Sequence, residues 1–167
     1  VKRGRKAKPS HYRAVAAELV RLKVDVIVTG GGTGIGYAIA RSFLQSGAKV
    51  LIVGRREEQL EEACLSLKQD LKKVAQKINF VAADVSSAEA ADEVIEVART
   101  QFGALDVFVN NAGVWAESSI RDVDDDLFAE HVTGILKTSV FCTKIAAQKM
   151  RDGGSIINIG SFAGILP

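Results

Sequence analysis

The sequence predicts one doubly wound α/β domain, a parallel sheet covered by helices on both faces. Three observations predict it. Short β-branched or apolar runs, such as Val24–Val28 and Val50–Val53, alternate with segments whose apolar residues recur at helical spacing. These runs are apolar at most positions rather than at every second one, the mark of strands buried on both faces. Neither an internal repeat nor an interdomain linker breaks the alternation, and 167 residues suit one domain with a substantial core.

The elements follow in order, each with a local cause. Residues 1–9 form a basic tail, expected to be disordered. Residues 10–167 form the domain, and Val15, Leu19 and Leu22 mark one face of a short helix at about 10–22. Val24–Val28 reads as the first strand, stopped by Thr29 and three glycines. A helix runs from about Gly34 to Gln45 with Gly47 at its end, and Val50–Val53 is the second strand. Leu60, Cys64, Leu67, Leu71 and Val74 line one face of the next helix. Ile78–Val81 is the third strand. Ser86 and Glu89 read as a capping box opening a helix that carries Ala91, Ile95, Ala98 and Phe102. Leu105–Val109 is the fourth strand, a long helix spans about Asp125 to Met150, and Ser155–Ile159 is the fifth strand. The crossovers are expected to be right-handed.

Composition narrows the class. A hydrophobic content of 47%, a charged content of 25% and two prolines describe a globular protein, not a disordered or fibrous one. No apolar run approaches the roughly 20 residues that span a bilayer, and no secretory signal is read. Cys64 and Cys142 lack metal-ligand spacing and read as buried thiols in a reducing cytoplasm, with no metal site expected. Lys2, Arg3, Arg5, Lys6 and Lys8 crowd the first eight residues, and the remainder of the chain is net acidic at −3. A basic arm suits nucleic acid or an acidic membrane. No aromatic residue interleaves it and no nucleic-acid module follows, so a solvated tail with neither partner is expected.

The glycine loop carries the chemistry. Thr29-Gly30-Gly31-Gly32-Thr33-Gly34-Ile35-Gly36 lies between the first strand and its helix. Glycine permits the sharp turn there and lets a pyrophosphate approach bare backbone, while the helix N-terminus offers unpaired N–H groups. A phosphate loop of the triphosphatase kind ends in Gly-Lys-Ser/Thr, whereas this loop ends Gly36-Tyr37. The loop therefore reads as a dinucleotide site. The second strand ends in Gly54-Arg55-Arg56, where an acidic residue would read a free ribose hydroxyl. Two readings stand for the arginines. They hold a 2′-phosphate by charge-assisted hydrogen bonds, which favours NADP(H) over NAD(H), or they are a solvated helix start.

Three further motifs complete a pattern. Ala83-Asp84-Val85, then Asn110-Asn111-Ala112-Gly113, then Gly154-Ser155-Ile156-Ile157-Asn158-Ile159-Gly160-Ser161 follow the glycine loop in order. Over about residues 24–167 the chain resembles the short-chain dehydrogenase/reductases. The resemblance implies a Rossmann-type three-layer αβα sheet, truncated here after the fifth strand. It also implies an oxidoreductase that moves a hydride to or from a carbonyl or secondary alcohol. In that frame Gly30, Gly32, Thr33, Gly34, Ile35, Gly36, Arg55 and Arg56 hold the cofactor. Asp84 and Val85 sit beside its adenine, and Asn111, Ala112 and Gly113 line its cleft. Bland alternatives remain for single residues: Asp84 as a turn former, Asn111 as a loop tie.

The family's chemistry uses a Ser, a Tyr-x-x-x-Lys pair and usually an Asn. Ser161 matches the serine that would polarise the substrate oxygen. The only tyrosines, Tyr12 and Tyr37, are followed four positions on by Ala16 and Arg41, so the pair is missing and this chain alone is expected to be inactive. Alignment on the long helix puts Ile135 at the usual Asn position. Family members often pair through that helix, which leaves a homo-oligomer open. The stretch Tyr12 to Gly31 also resembles a helix–strand unit of transporter-linked substrate-binding proteins. The alternatives to a dehydrogenase fragment are a non-catalytic nucleotide-binding module and a chimaeric or engineered α/β chain.

Overall fold

The computed structural model describes residues 24–116 and 118–161. Its elements are β1 (Asp25–Thr29), α1 (Gly34–Gln45), β2 (Lys49–Gly54), α2 (Glu57–Asp70), a 3-10 segment (Lys72–Lys77), β3 (Ile78–Ala82) and α3 (Ala88–Phe102). Then come β4 (Val107–Asn110), α4 (Asp125–His131), a π-helical segment (Val132–Lys137), α5 (Thr138–Lys149) and β5 (Ser155–Asn158). The strands form one sheet in the order β3-β2-β1-β4-β5, with every pairing parallel. This is the Rossmann-type topology expected from the sequence. The basic tail and the helix expected over 10–22 lie outside the described residues, as does most of the transporter-like stretch.

The strand period of two sorts the core into two layers. Val26 and Val28 of β1, Val50 and Ile52 of β2, and Val107 and Val109 of β4 face Ala40 and Leu44 of α1 and Leu60, Cys64 and Leu67 of α2. Ile27, Leu51, Val53 and Phe108 face the other way, against Val94, Ile95 and Ala98 of α3 and Cys142, Ile145 and Ala146 of α5. Each fully buried aliphatic or aromatic side chain contributes about 1.5–3 kcal/mol. The edge strand β5 is less covered: Ile156 packs against the second layer, while Ile157 and Ile159 are exposed.

Three local expectations are corrected. Ser87, not Ser86, caps α3: its backbone is extended and its side chain accepts the N–H of Ala90 at 3.1 Å. Ser86 instead donates its N–H to Asp84 Oδ1 at 3.1 Å, which holds it in the turn before the helix. The helix expected through Val74 ends at Asp70. Leu71 and Val74 still pack on the core, but from the cap and the 3-10 segment that lead down to β3. The long helix expected from Asp125 to Met150 is broken by the π-helical segment, where Thr138 Oγ1 donates to the carbonyl of Thr133, five residues back, at 2.9 Å. Gly134 permits this bulge to press on the preceding loop, since a Cβ there would lie 3.0 Å from Val114. Such insertions mark functional sites more often than chance.

The topology also locates the site. From β1 the chain winds one way to β2 and β3, and β4 and β5 lie on the other side. In sheets of this kind a crevice opens beyond the carboxyl ends of the strands where the winding reverses, here between β1 and β4.

Candidate functional site

The glycine loop is tied down on both sides. The N–H groups of Gly30 and Gly31 reach the Val53 carbonyl of β2 at 2.7 and 3.3 Å. On the β4 side Thr29 is the hub. Its Oγ1 donates to the Val109 carbonyl at 3.1 Å and accepts the N–H groups of Asn111 and Ala112, each at 3.0 Å. Asn111 Nδ2 in turn donates to the carbonyls of Thr29 and Gly30 at 3.0 and 3.3 Å. Five hydrogen bonds thus lock the loop after β1 to the loop after β4. Asn111 acts on backbone, and the cleft itself is lined by its neighbours Ala112 and Gly113.

Two glycines meet real steric demands. Gly30 has φ of +65°, and a Cβ there would stand 2.9 Å from Asn111 Nδ2. Gly36, in the first turn of α1, lies against the loop so closely that a Cβ would overlap the Gly30 carbonyl and come within 2.5 Å of Asn111 Nδ2. That approach aims the N-terminus of α1 at the loop. Thr33 stands at the N-cap with extended backbone and makes no side-chain capping hydrogen bond among the described residues, so the first N–H groups keep their capacity to bind an anion.

An open cleft joins these parts. Its walls include Gly30, Gly32 and Thr33 from the glycine loop, Arg55 and Arg56 after β2, Asp84 and Val85 after β3, and Ala112 and Gly113 after β4. Nine of the expected cofactor residues therefore share one surface. Gly34, Ile35, Gly36 and Asn111 do not line it: Gly36 and Asn111 are packing residues behind it, and Ile35 is 64% exposed. Val85 is buried while Asp84 is exposed. The cleft also takes in Gln59, Val114, Thr133 and Thr138, which sequence reasoning missed. Gln59 sits one helical turn beyond the arginines, Thr133 lies within the π-helical segment and Thr138 directly after it, so their placement depends on helix geometry. Thr29 was visible as a polar residue ending an apolar strand, but its hub role was not.

The catalytic candidates lie at the same edge of the sheet. Asn110 Nδ2 donates to Thr143 Oγ1 of α5 at 3.0 Å and to Asn158 Oδ1 of β5 at 2.8 Å, fixing β5 beside β4. Ser161 follows β5 by three residues and is exposed. Ile135 stands in the π-helical segment, 43% exposed, with its Cγ1 3.8 Å from where a Cβ on Gly113 would be. Burial pushes the Cys142 thiol up to about 12, and it also raises that of Cys64, so neither is poised as a nucleophile. The carboxylate of Glu89 is held below its usual range by its own N–H and by the Ser87 hydroxyl at the start of α3.

Residues 24–167 match the family model described as short chain dehydrogenase. The chain belongs to the short-chain dehydrogenase family. An uncharacterised oxidoreductase of Staphylococcus aureus is 36% identical over 140 residues, a match covering 83% of this chain and 58% of the relative. The crystal structure of a short-chain glucose/ribitol dehydrogenase from Brucella melitensis aligns with a TM-score of 0.78 at 26% identity, over 86% of this chain and 58% of that one. A short chain dehydrogenase from Burkholderia cenocepacia, solved in complex with NADP, gives 0.76 at 28% identity over 87% and 58%. The chain thus spans under three fifths of the length of these relatives. Family membership makes it a short-chain dehydrogenase sequence with the family's NAD(P)-binding fold. Among the described residues no helix is long and apolar enough to cross a membrane.

Proposed function

We propose that this dehydrogenase chain holds NADP(H) and that the longer protein it resembles exchanges a hydride with a small carbonyl compound or secondary alcohol. One observation carries the reading: the uncapped start of α1, the bare backbone of Gly30 and Gly32, and the guanidinium-bearing Arg55 and Arg56 border a single cleft. The donor set fits the group. N–H groups and a helix dipole suit the pyrophosphate, the two arginines suit a 2′-phosphate, and the cleft beyond β3 suits a ring lying over Val85 and beside Asp84. The complex of the Burkholderia relative with NADP supports the same choice of cofactor. When bound, the nicotinamide supplies or accepts the hydride.

This chain's own residues bind and orient. The Thr29–Asn111 tie keeps the two loops at one spacing, and Ala112 and Gly113 leave room beside β4. Ser161 holds the substrate oxygen by a hydrogen bond, polarising it for hydride transfer. Ile135 offers no polar group where the family usually has Asn, so no proton is relayed at that station. A Tyr-x-x-x-Lys pair is needed for proton transfer to that oxygen, and residues 1–167 contain none. These residues alone are therefore expected to bind cofactor without turnover. The remaining proposals are a cytoplasmic site of action, matching two buried free thiols, and pairing of two copies through the helical face bearing Phe128, Leu136 and Val140.

Thermal denaturation with added cofactor tests the reading. Binding to the folded state at a hundredfold excess over Kd stabilises by about 2.7 kcal/mol, a rise of roughly 5–10 °C in Tm. A rise with NADP⁺ larger than with NAD⁺ is expected. No rise with either would remove the nucleotide from the cleft.

A further inference from the structure

The edge of the sheet opposite the cleft holds a charged group that the proposed function does not use. Asp25 opens β1, in a run otherwise built of Val and Ile, and its side chain is only 5% exposed. A buried carboxylate is costly unless it is both paired and hydrogen-bonded. Here the compensation is incomplete. Among the described residues Asp25 Oδ1 accepts no hydrogen bond, and Lys49 Nζ of β2 stands 3.7 Å from it. That ammonium is shared, pairing with Asp25 at this longer distance while donating to the Phe102 carbonyl at 2.8 Å and lying 5.6 Å from the centre of the Phe102 ring.

On the other side stands a second acid. Asp106, which leads into β4, accepts the Asp25 N–H on Oδ2 at 2.7 Å and returns its own N–H to the Asp25 carbonyl at 3.0 Å. Its Oδ1 is 2.7 Å from Arg151 Nε, so the nearest guanidinium pairs with Asp106 rather than with Asp25. The groups facing Asp25 are thus Lys49 from β2, Asp106 from the approach to β4 and Arg151 from the connection between α5 and β5. Burial raises the Asp25 carboxyl above its usual range; Lys49 and Arg151 oppose this and Asp106 adds to it.

We propose that Asp25 is a proton-uptake site through which the domain senses pH, its ionised form placing an incompletely compensated buried charge beside Asp106 where β1 meets β4. The sign follows from linkage. Below the ordinary Asp value of about 3.9 the carboxyl is neutral whether the chain is folded or not, and its stabilising contribution is complete. As pH rises through the higher folded-state value that contribution is lost. Asp25 lies at the opposite end of the sheet from the cleft, so its titration does not depend on cofactor binding.

The test compares melting temperatures of the 167-residue chain and Asp25→Asn from about pH 4 to about pH 8 at constant ionic strength. Near the acid end the two are expected to move together. As pH rises the variant should pull ahead by at least about 2–4 °C, because the amide stays neutral. A difference that does not change with pH, or a variant that falls behind as pH rises, would overturn the proposal, the latter by showing that attraction to Lys49 prevails. Lys49→Met keeps the test decisive if Asp25→Asn does not fold. It removes the opposing cation, so Tm should fall more steeply with pH than in the parent chain. The lost contacts to Phe102 do not titrate in this range and lower the whole curve evenly. An unchanged slope would also overturn the proposal.

Discussion

Replacing Gly36 with Ala tests whether the approach of α1 to the glycine loop organises the cleft. The added methyl would overlap the Gly30 carbonyl oxygen and lie 2.5 Å from Asn111 Nδ2. Both neighbours are fixed: Gly30 through its N–H on Val53, and Asn111 through its bonds to Thr29 and Gly30. Neither is the free end of a flexible side chain, so helix and loop must part. Overpacking of this kind costs about 1–3 kcal/mol. At about 2–4 °C per kcal/mol for a domain of this size, Tm should fall by roughly 2–12 °C. Separation also turns the N-terminus of α1 away from the phosphates, so NADPH affinity should drop at least about tenfold, equivalent to 1.4 kcal/mol. Gly32→Ala is the matched control. Its Cβ meets Leu60 at an ordinary 3.4 Å, so Tm should hold, and any loss of NADPH binding would report crowding of the cofactor itself. Circular dichroism melts and fluorescence titrations of both variants decide the matter. A Gly36→Ala protein with parental Tm and parental affinity would show that this contact does not organise the cleft.

Other variants probe neighbouring parts. Thr29→Val removes the acceptor for two N–H groups and the donor to Val109, and should cost about 1–3 kcal/mol, measured by urea denaturation. A loss under about half a kcal/mol would show that water serves these groups as well. Cys142, its thiol pushed up to about 12 by burial and donating to the Val85 carbonyl at 3.6 Å, should resist a disulfide reagent in the folded chain at about pH 8 and react once denatured. Raising the pH from about 8 to about 9 should increase the slow folded-state rate about tenfold, since the thiolate fraction of a group titrating near 12 grows about tenfold per pH unit; fast labelling already flat over that range would contradict the raised thiol. Gly34→Ala meets no neighbour within 4 Å but keeps a φ of +56°, so backbone strain alone should cost about 1–2 kcal/mol, read as a small fall in Tm.

The alternation of strands and helices was legible because two periods, of two and of 3.6 residues, are written in the apolar residues themselves. Val26, Ile27 and Val28 announce burial on both faces, and Leu60, Cys64 and Leu67 announce one buried helix stripe. The glycine loop was legible as well, since its strand–loop–helix setting restricts what such a loop can do. What Gly36 is for was not, because its neighbours Gly30 and Asn111 come together only in the fold. As caps of α3, Ser86 and Ser87 are equivalent on paper. Asp84 decides between them by taking the Ser86 N–H. The π-helical segment left no trace in the apolar pattern, and the close approach of Gly134 to Val114 exists only in the fold. Thr133 and Thr138 reach the cleft through that segment, so they too were hidden.

A fluorescence titration of the 167-residue chain with NADPH and with NADH, repeated on Arg55→Ala, puts the dinucleotide cleft to the test. A charge-assisted hydrogen bond to the 2′-phosphate is worth about 1.5–3 kcal/mol, so the substitution should weaken NADPH by roughly ten- to a hundredfold. NADH should bind the parent chain less tightly than NADPH and be nearly indifferent to the change. Absence of binding by either nucleotide would contradict the dinucleotide cleft. Tighter binding of NADH, or NADPH affinity unmoved by Arg55→Ala, would contradict the role given to Arg55.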